Sequence, residues 1–189
     1  GRTAQRELDV QQWLYQVHWQ PAAVPARAEA ARTEAAQTGR WLIFADQRGV
    51  ATQLAARLRE STGQDGVLVH PGEAFQTLPS GGGGGQETYC INPLSADDYQ
   101  RLLLATFGAE GAVCAGVVHL WSLDIAPPAE TVSEETASAE TAAGGWEDAR
   151  RLGCGSVLQL IRQLARFHFS KMPGLWLATQ GAQAVQDDQ

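Results

Sequence analysis

Trp41-Leu42-Ile43-Phe44-Ala45-Asp46-Gln47-Arg48-Gly49-Val50-Ala51-Thr52-Gln53-Leu54-Ala55-Ala56-Arg57-Leu58 is the stretch on which the reading of the fold turns. Its apolar run Trp41–Ala45 has the length of a buried strand. From Gly49 onward the spacing changes to helical, placing Val50, Leu54 and Leu58 on one side. Strand followed by helix predicts a βα unit, the building block of a parallel sheet covered by helices. A strand-to-helix turn that holds a dinucleotide is rich in glycine, because backbone and helix amides must close on a pyrophosphate. Here Gly49 is the one glycine of the turn, and Asp46 brings negative charge to its mouth. The turn therefore reads as structural.

The alternation continues on either side. After a polar lead-in over residues 1–12, Trp13-Leu14-Tyr15-Gln16-Val17-His18-Trp19 sets Tyr15, Val17 and Trp19 at period two, a strand face stopped by Pro21 and Pro25. Residues Ala26–Thr38 read either as a short surface helix or as a link. Val67-Leu68-Val69 and Tyr89-Cys90-Ile91 are further strands. Between them, Pro79 and the five glycines Gly81–Gly85 read as a surface insertion; without a Lys-Ser/Thr ending the run is no phosphate cradle. Ser95, with Asp98 three positions on, opens a helix whose apolar side is Tyr99, Leu102, Leu103 and Phe107.

Val113–Leu120 is the next strand and runs into Trp121-Ser122-Leu123-Asp124. Pro127-Pro128 and the segment Glu130–Ala143 mark a loop. Trp146–Phe169 reads as one long helix through Leu152, Val157, Leu158, Leu160, Ile161, Leu164 and Phe167, with Gly153 and Gly155 as the place for a close helix contact or a break. Leu175-Trp176-Leu177-Ala178 is the last strand, and residues 186–189 form a polar tail.

The whole chain of 189 residues suits one α/β core, and its 44% apolar content argues against a disordered chain. A formal charge of -7, with no basic cluster among aromatics, disfavours nucleic acid. No apolar run approaches a membrane span. Cys90, Cys114 and Cys154 are isolated thiols with neither disulfide-framework nor metal-knuckle spacing, so a reducing cytoplasm is the expected setting.

Candidate chemistry is sparse. His18, His70, His119 and His168 are too scattered for a local metal motif. His119, Ser122 and Asp124 lie too close along one strand to supply the separate nucleophile, base and orienting group of a triad. Ser156 sits in Gly153-Cys154-Gly155-Ser156-Val157, which is no nucleophile elbow. Tyr99 and Lys171 read as a core tyrosine and a terminal-helix lysine. Trp41, Trp121 and Trp176 occupy strand-like apolar runs where core packing is expected, with Trp41, Val118 and Trp176 sharing one sheet core. No catalytic, cofactor-binding or metal-binding residue is assigned. Tyr15, Val17 and Trp19 are the candidate interdomain contact, against the alternative that this face packs internally.

Taken in order, five segments resemble the structural subdomain of modular polyketide synthase ketoreductases: Tyr15-Gln16-Val17-His18-Trp19, Trp41–Asp46, Val69-His70-Pro71-Gly72-Glu73-Ala74-Phe75, Gly116–Asp124 and Leu175–Val185. They cover about Gln11 to Val185, and residues 13–185 are expected to form that subdomain. The resemblance implies a truncated Rossmann-like fold, a mainly parallel central sheet flanked by helices. In that family the structural half supports a catalytic half that binds NADPH and reduces the β-keto group of a carrier-protein-bound polyketide intermediate. The glycine-rich loop and Ser/Tyr/Lys machinery belong to the catalytic half. The expectation is therefore a noncatalytic scaffold, or pseudo-ketoreductase remnant, with no cofactor of its own. Its partners would be adjacent synthase domains, and an acyl carrier protein only indirectly. The alternative is the structural half of an active NADPH-dependent β-ketoacyl reductase.

Overall fold

The computed structural model describes residues 39–79, 86–108, 112–125 and 146–180. The strand expected at Trp13–Trp19, with its contact residues Tyr15, Val17 and Trp19, lies outside the described residues. So do Ala26–Thr38, the glycine run and Glu130–Ala143.

Among the described residues six strands form one sheet: β1 (Arg40–Phe44), β2 (Gly66–Pro71), β3 (Gln76–Leu78), β4 (Thr88–Ile91), β5 (Cys114–His119) and β6 (Leu175–Leu177), in the spatial order β3-β4-β2-β1-β5-β6. Every pairing is parallel except that of β3 with β4. The parallel strands start in the middle, grow outward through β2 and β4, then return across β1 to β5 and β6. That is the strand order of a doubly wound, Rossmann-like sheet.

Strand period two divides the core. Leu42 and Phe44 face helices α2 (Ala96–Phe107) and α3 (Ser156–Arg166), with Val67, Val69, Val117, Tyr99, Leu102, Leu103, Leu160 and Leu164 in the same cluster. Ile43 and Ala45 face the opposite side, where α1 (Val50–Thr62) packs with Leu68, Val118 and Leu120.

Several expectations are corrected in detail. The face of α1 that meets the sheet is Ala51 and Ala55; Leu54 and Leu58 flank it, and Val50 is exposed. Small side chains let the helix lie close: a Cβ added at Gly66 would stand 3.0 Å from Ile43 Cδ1 and 3.1 Å from Ala55 Cβ. Strand β3 is too short and polar to have shown a pattern. Trp121–Asp124 is a 3₁₀ turn closing the end of β5, where a continuation of the strand was expected.

The expected long helix is broken. A wide, π-type segment, Ala149–Gly155, precedes α3, and Gly153 leaves helical geometry at φ −95°, ψ −111°. Gly155 serves the close contact as well, because a Cβ there would collide with the Arg150 carbonyl oxygen and stand 2.8 Å from Leu94 Cδ2. Helix α3 ends at Arg166, so Lys171 lies beyond it in an exposed turn. Of the apolar residues along α3, Leu158 and Ile161 face outward.

Trp176 is also corrected. It is 51% exposed, because among the described residues it belongs to an edge strand on the face that carries a single helix. Its ring leans on Trp41, centroid to centroid 5.3 Å, across Gly116, which leaves room for both indoles. Trp121, by contrast, is fully buried and donates from Nε1 to the Val69 carbonyl at 3.0 Å.

The Ser95 cap forms as expected. Ser95 Oγ accepts from the Asp98 amide at 3.3 Å and donates to Asp98 Oδ1 at 3.1 Å, while Asp98 Oδ2 accepts from the Asn92 amide at 2.9 Å. Such a cap contributes about 1 kcal/mol.

Candidate functional site

In an open α/β sheet the place for a ligand is the crevice beyond the carboxyl ends of the strands where the strand order reverses. Here that is the mouth between β1 and β5. At its β1 side the chain passes through Asp46 and Gln47 into α1. Gly49 takes φ +89°, a left-handed conformation that a side chain disfavours, and its carbonyl accepts from Gln53 N at 3.2 Å to begin the helix.

The first amides of a helix are unpaired donors with partial positive charge, which makes them a ready anion site. In this chain the first two of them are occupied from within. Asp46 is 4% exposed; its Oδ2 accepts from Arg48 N at 3.0 Å and Val50 N at 3.1 Å, and its Oδ1 from Ala51 N at 2.8 Å. A second carboxylate closes the other side: both oxygens of Asp124 accept from Gln47 N, at 3.0 and 3.1 Å. The 178–180 segment covers the mouth. Ser122 Oγ donates to the Ala178 carbonyl, Gln180 Nε2 to the Leu123 carbonyl at 3.1 Å, and Arg48 reaches Gln180 Oε1 at 3.0 Å. A phosphate entering this mouth would meet two carboxylates and find the Val50 and Ala51 amides already bonded.

The residues that invited a triad are parted by these bonds. Asp124 holds Gln47, Ser122 holds Ala178, and His119 turns the other way, its Nε2 3.0 Å from Ser156 Oγ. That last contact was not legible in the sequence. His119 lies between the rings of Phe44 and Trp121, at 5.4 Å from each, and burial pushes its pKa down to about 4.

Ser156 Oγ also lies 2.9 Å from both the Leu152 and the Gly153 carbonyl oxygens, so it ties the broken helix to β5. Tyr99 donates toward the Pro93 and Ser156 carbonyls, each at 3.2 Å, and burial raises its phenol far above the ordinary value. Lys171 stands in the exposed turn after α3, away from this network. His119, Ser156 and Tyr99 are buried and joined by hydrogen bonds into the packing between β5, α2 and the broken helix.

The cysteines are separate. Cys114 is buried, its thiol pushed up to about 12 by that burial; Cys90 is half-buried beside Gly72, its thiol raised by burial and by nearby Asp98; Cys154 is exposed. Among the described residues no cluster of three or more His, Cys, Asp or Glu could hold a metal ion, and no helix is long and apolar enough to cross a membrane.

Comparison with known proteins agrees with this architecture. A family model described as beta-ketoacyl synthase-like, N-terminal, matches residues 39–137, just over half of the chain. Among solved structures, the chain is similar to a multidomain structure with adenylation, ketoreductase and pseudo-Asub parts, from a keto acid-selecting NRPS module. The TM-score is 0.55 and the identity 24%, over 79% of this chain and 11% of that one. An N-terminal ketoreductase from a macrolactin assembly line gives a TM-score of 0.47 and 12% identity, over 77% of this chain and 25% of that one. The chain thus spans a small part of either structure. No curated protein matches it. The α/β fold is that of the ketoreductase-type neighbour, and with the match over residues 39–137 the chain belongs to the beta-ketoacyl synthase-like, N-terminal family.

Proposed function

We propose that this chain is a noncatalytic scaffold in a polyketide synthase-type multienzyme, supporting or positioning adjacent catalytic domains. One observation carries the reading: Asp46 occupies the Val50 and Ala51 amides at the start of α1, where a dinucleotide-binding Rossmann unit would present amides to pyrophosphate, with Asp124 beside it. Binding NADPH here would require displacing a buried, thrice-bonded carboxylate and placing phosphates against another, which electrostatics opposes. As the structural half of an NADPH-dependent β-ketoacyl reductase the chain would do the same supporting work, with cofactor and machinery held by a separate catalytic half. Its partners are then adjacent synthase domains, and Tyr15, Val17 and Trp19 remain the proposed contact on the amino-terminal side.

Calorimetric titration of the chain with NADPH tests the reading. No saturable heat is expected; a reproducible one-site isotherm in the micromolar range would overturn it.

A further inference from the structure

Helix α3 carries a second apolar seam on the side away from the sheet. Its inward face is Ser156, Leu160, Gln163 and Leu164, all buried. Outward, Leu158 and Ile161 are 48% and 47% exposed, and exposed Ala165 continues the same stripe. Positions 158, 161, 162 and 165 follow the i, i+3, i+4, i+7 spacing with which one helix lies against another. Arg162 falls within that spacing and Arg166 borders it, both exposed.

The charge around the seam is opposite to that of the chain. From Ala149 to Lys171 the sequence has five basic residues and no Asp or Glu, in a chain of net charge -7. Arg150 pairs with Glu147 and Arg151 also acts on that carboxylate, but Arg162, Arg166 and Lys171 make no ion pair among the described residues. An apolar stripe edged by unneutralised arginines is complementary to an apolar stripe edged by carboxylates. An anionic lipid surface or nucleic acid would also meet the acidic remainder of the chain, whereas a single helix contacts only the seam.

We propose that the outward face of α3 is a docking surface for an acidic amphipathic helix of a partner protein. Leu158, Ile161 and Ala165 would seat its apolar residues, and Arg162 and Arg166 its flanking carboxylates. The surface is distinct from the β1/β5 mouth, so the proposal stands or falls independently of NADPH binding.

The test uses the whole chain and dye-labelled helical peptides of about three heptads, long enough to hold helix. All share one leucine seam and differ only in flanks of Glu, Lys or Gln. Fluorescence anisotropy should show saturable binding of the Glu peptide, roughly tenfold or more tighter than the Lys peptide, weakening as salt is raised. R162E/R166E should reverse that preference and R162K/R166K preserve it. L158S/I161S should weaken the Glu and Gln peptides alike, with circular dichroism and thermal midpoint unchanged. The proposal is overturned if the Glu peptide fails to saturate, if Glu and Lys peptides bind equally, or if R162E/R166E still prefers Glu. It is equally overturned if phosphatidylserine-containing vesicles capture the chain through this face while the peptide does not.

Discussion

Replacing Asp46 by alanine should be among the most damaging single changes on the α1 side of the sheet. The side chain is almost wholly buried and accepts from three amides, that of Arg48 just before the helix and those of Val50 and Ala51 in its first turn. Loss of a helix-terminal acceptor costs about 0.5–2 kcal/mol. The Ala51 amide lies in buried surroundings, and leaving such a donor unpaired costs about 1–3 kcal/mol more. Water can reach the half-buried Arg48 and Val50 amides, so the sum falls at about 2–4 kcal/mol, a large share of the roughly 5–15 kcal/mol that holds a domain together. Asp46→Asn should cost less, about 1–2 kcal/mol. Its one carbonyl oxygen can replace Oδ2 or Oδ1 but not both, and its NH₂ then faces a donor. Urea unfolding followed by tryptophan fluorescence reads the difference as a lower midpoint with unchanged slope. Hydrogen exchange should show the loss concentrated in residues 50–55. If Asp46→Ala stays within about 0.5 kcal/mol of the parent, the size of a neutral surface change, the carboxylate is not what closes the helix terminus. The start of α1 would then be open to an anion.

Two further outcomes follow from burial. His119 is held neutral with its folded pKa lowered from 6.5 to about 4, so its contribution to stability is complete above the unfolded value and disappears as pH falls from 6.5 toward 4. The full swing is about 3 kcal/mol, and His119→Phe should flatten that part of the stability–pH curve; an unchanged acid limb would refute the assignment. Trp121→Ala should cost about 3–5 kcal/mol and Trp176→Ala only about 1–2 kcal/mol, since the first ring is fully buried and hydrogen-bonded and the second is half in water. Equal losses in chemical denaturation would contradict the placement of the two indoles.

The elements that repeat a local rule were legible in the sequence. Strands β1, β2, β4 and β5 follow from runs of apolar residues, and the start of α2 from Ser95 and Asp98, because strand period and capping are properties of neighbours along the chain. What was not legible depends on distance between elements. The choice of Ala51 and Ala55 over Val50 rests on how near α1 lies to Gly66. The exposure of Trp176 rests on β6 being an edge, and that of Leu158 and Ile161 on which side of α3 the sheet takes. The pairing of His119 with Ser156 requires the break at Gly153 to swing a serine toward a strand 37 residues away. At the candidate site the sequence exposed the lack of glycine and the charge of Asp46. It did not reveal that this charge caps the helix, since the bonds depend on the backbone turning back through Gly49.

The central position of β1 governs how the molecule can assemble in time. Its first neighbour, β2, is a short crossover away, whereas β5, its partner on the other side, begins at Cys114, and β6 joins β5 only at Leu175–Leu177. A chain emerging amino-terminus first presents its most apolar strand early and the strands that shield it late. Parallel pairings across such separations make closure slow, because loop entropy is lost before the contacts form. Until Leu177 has emerged, one flank of β1 and then of β5 is an open template for foreign strands. The interval in which this sheet is most open to wrong pairing therefore falls before its last strand is made.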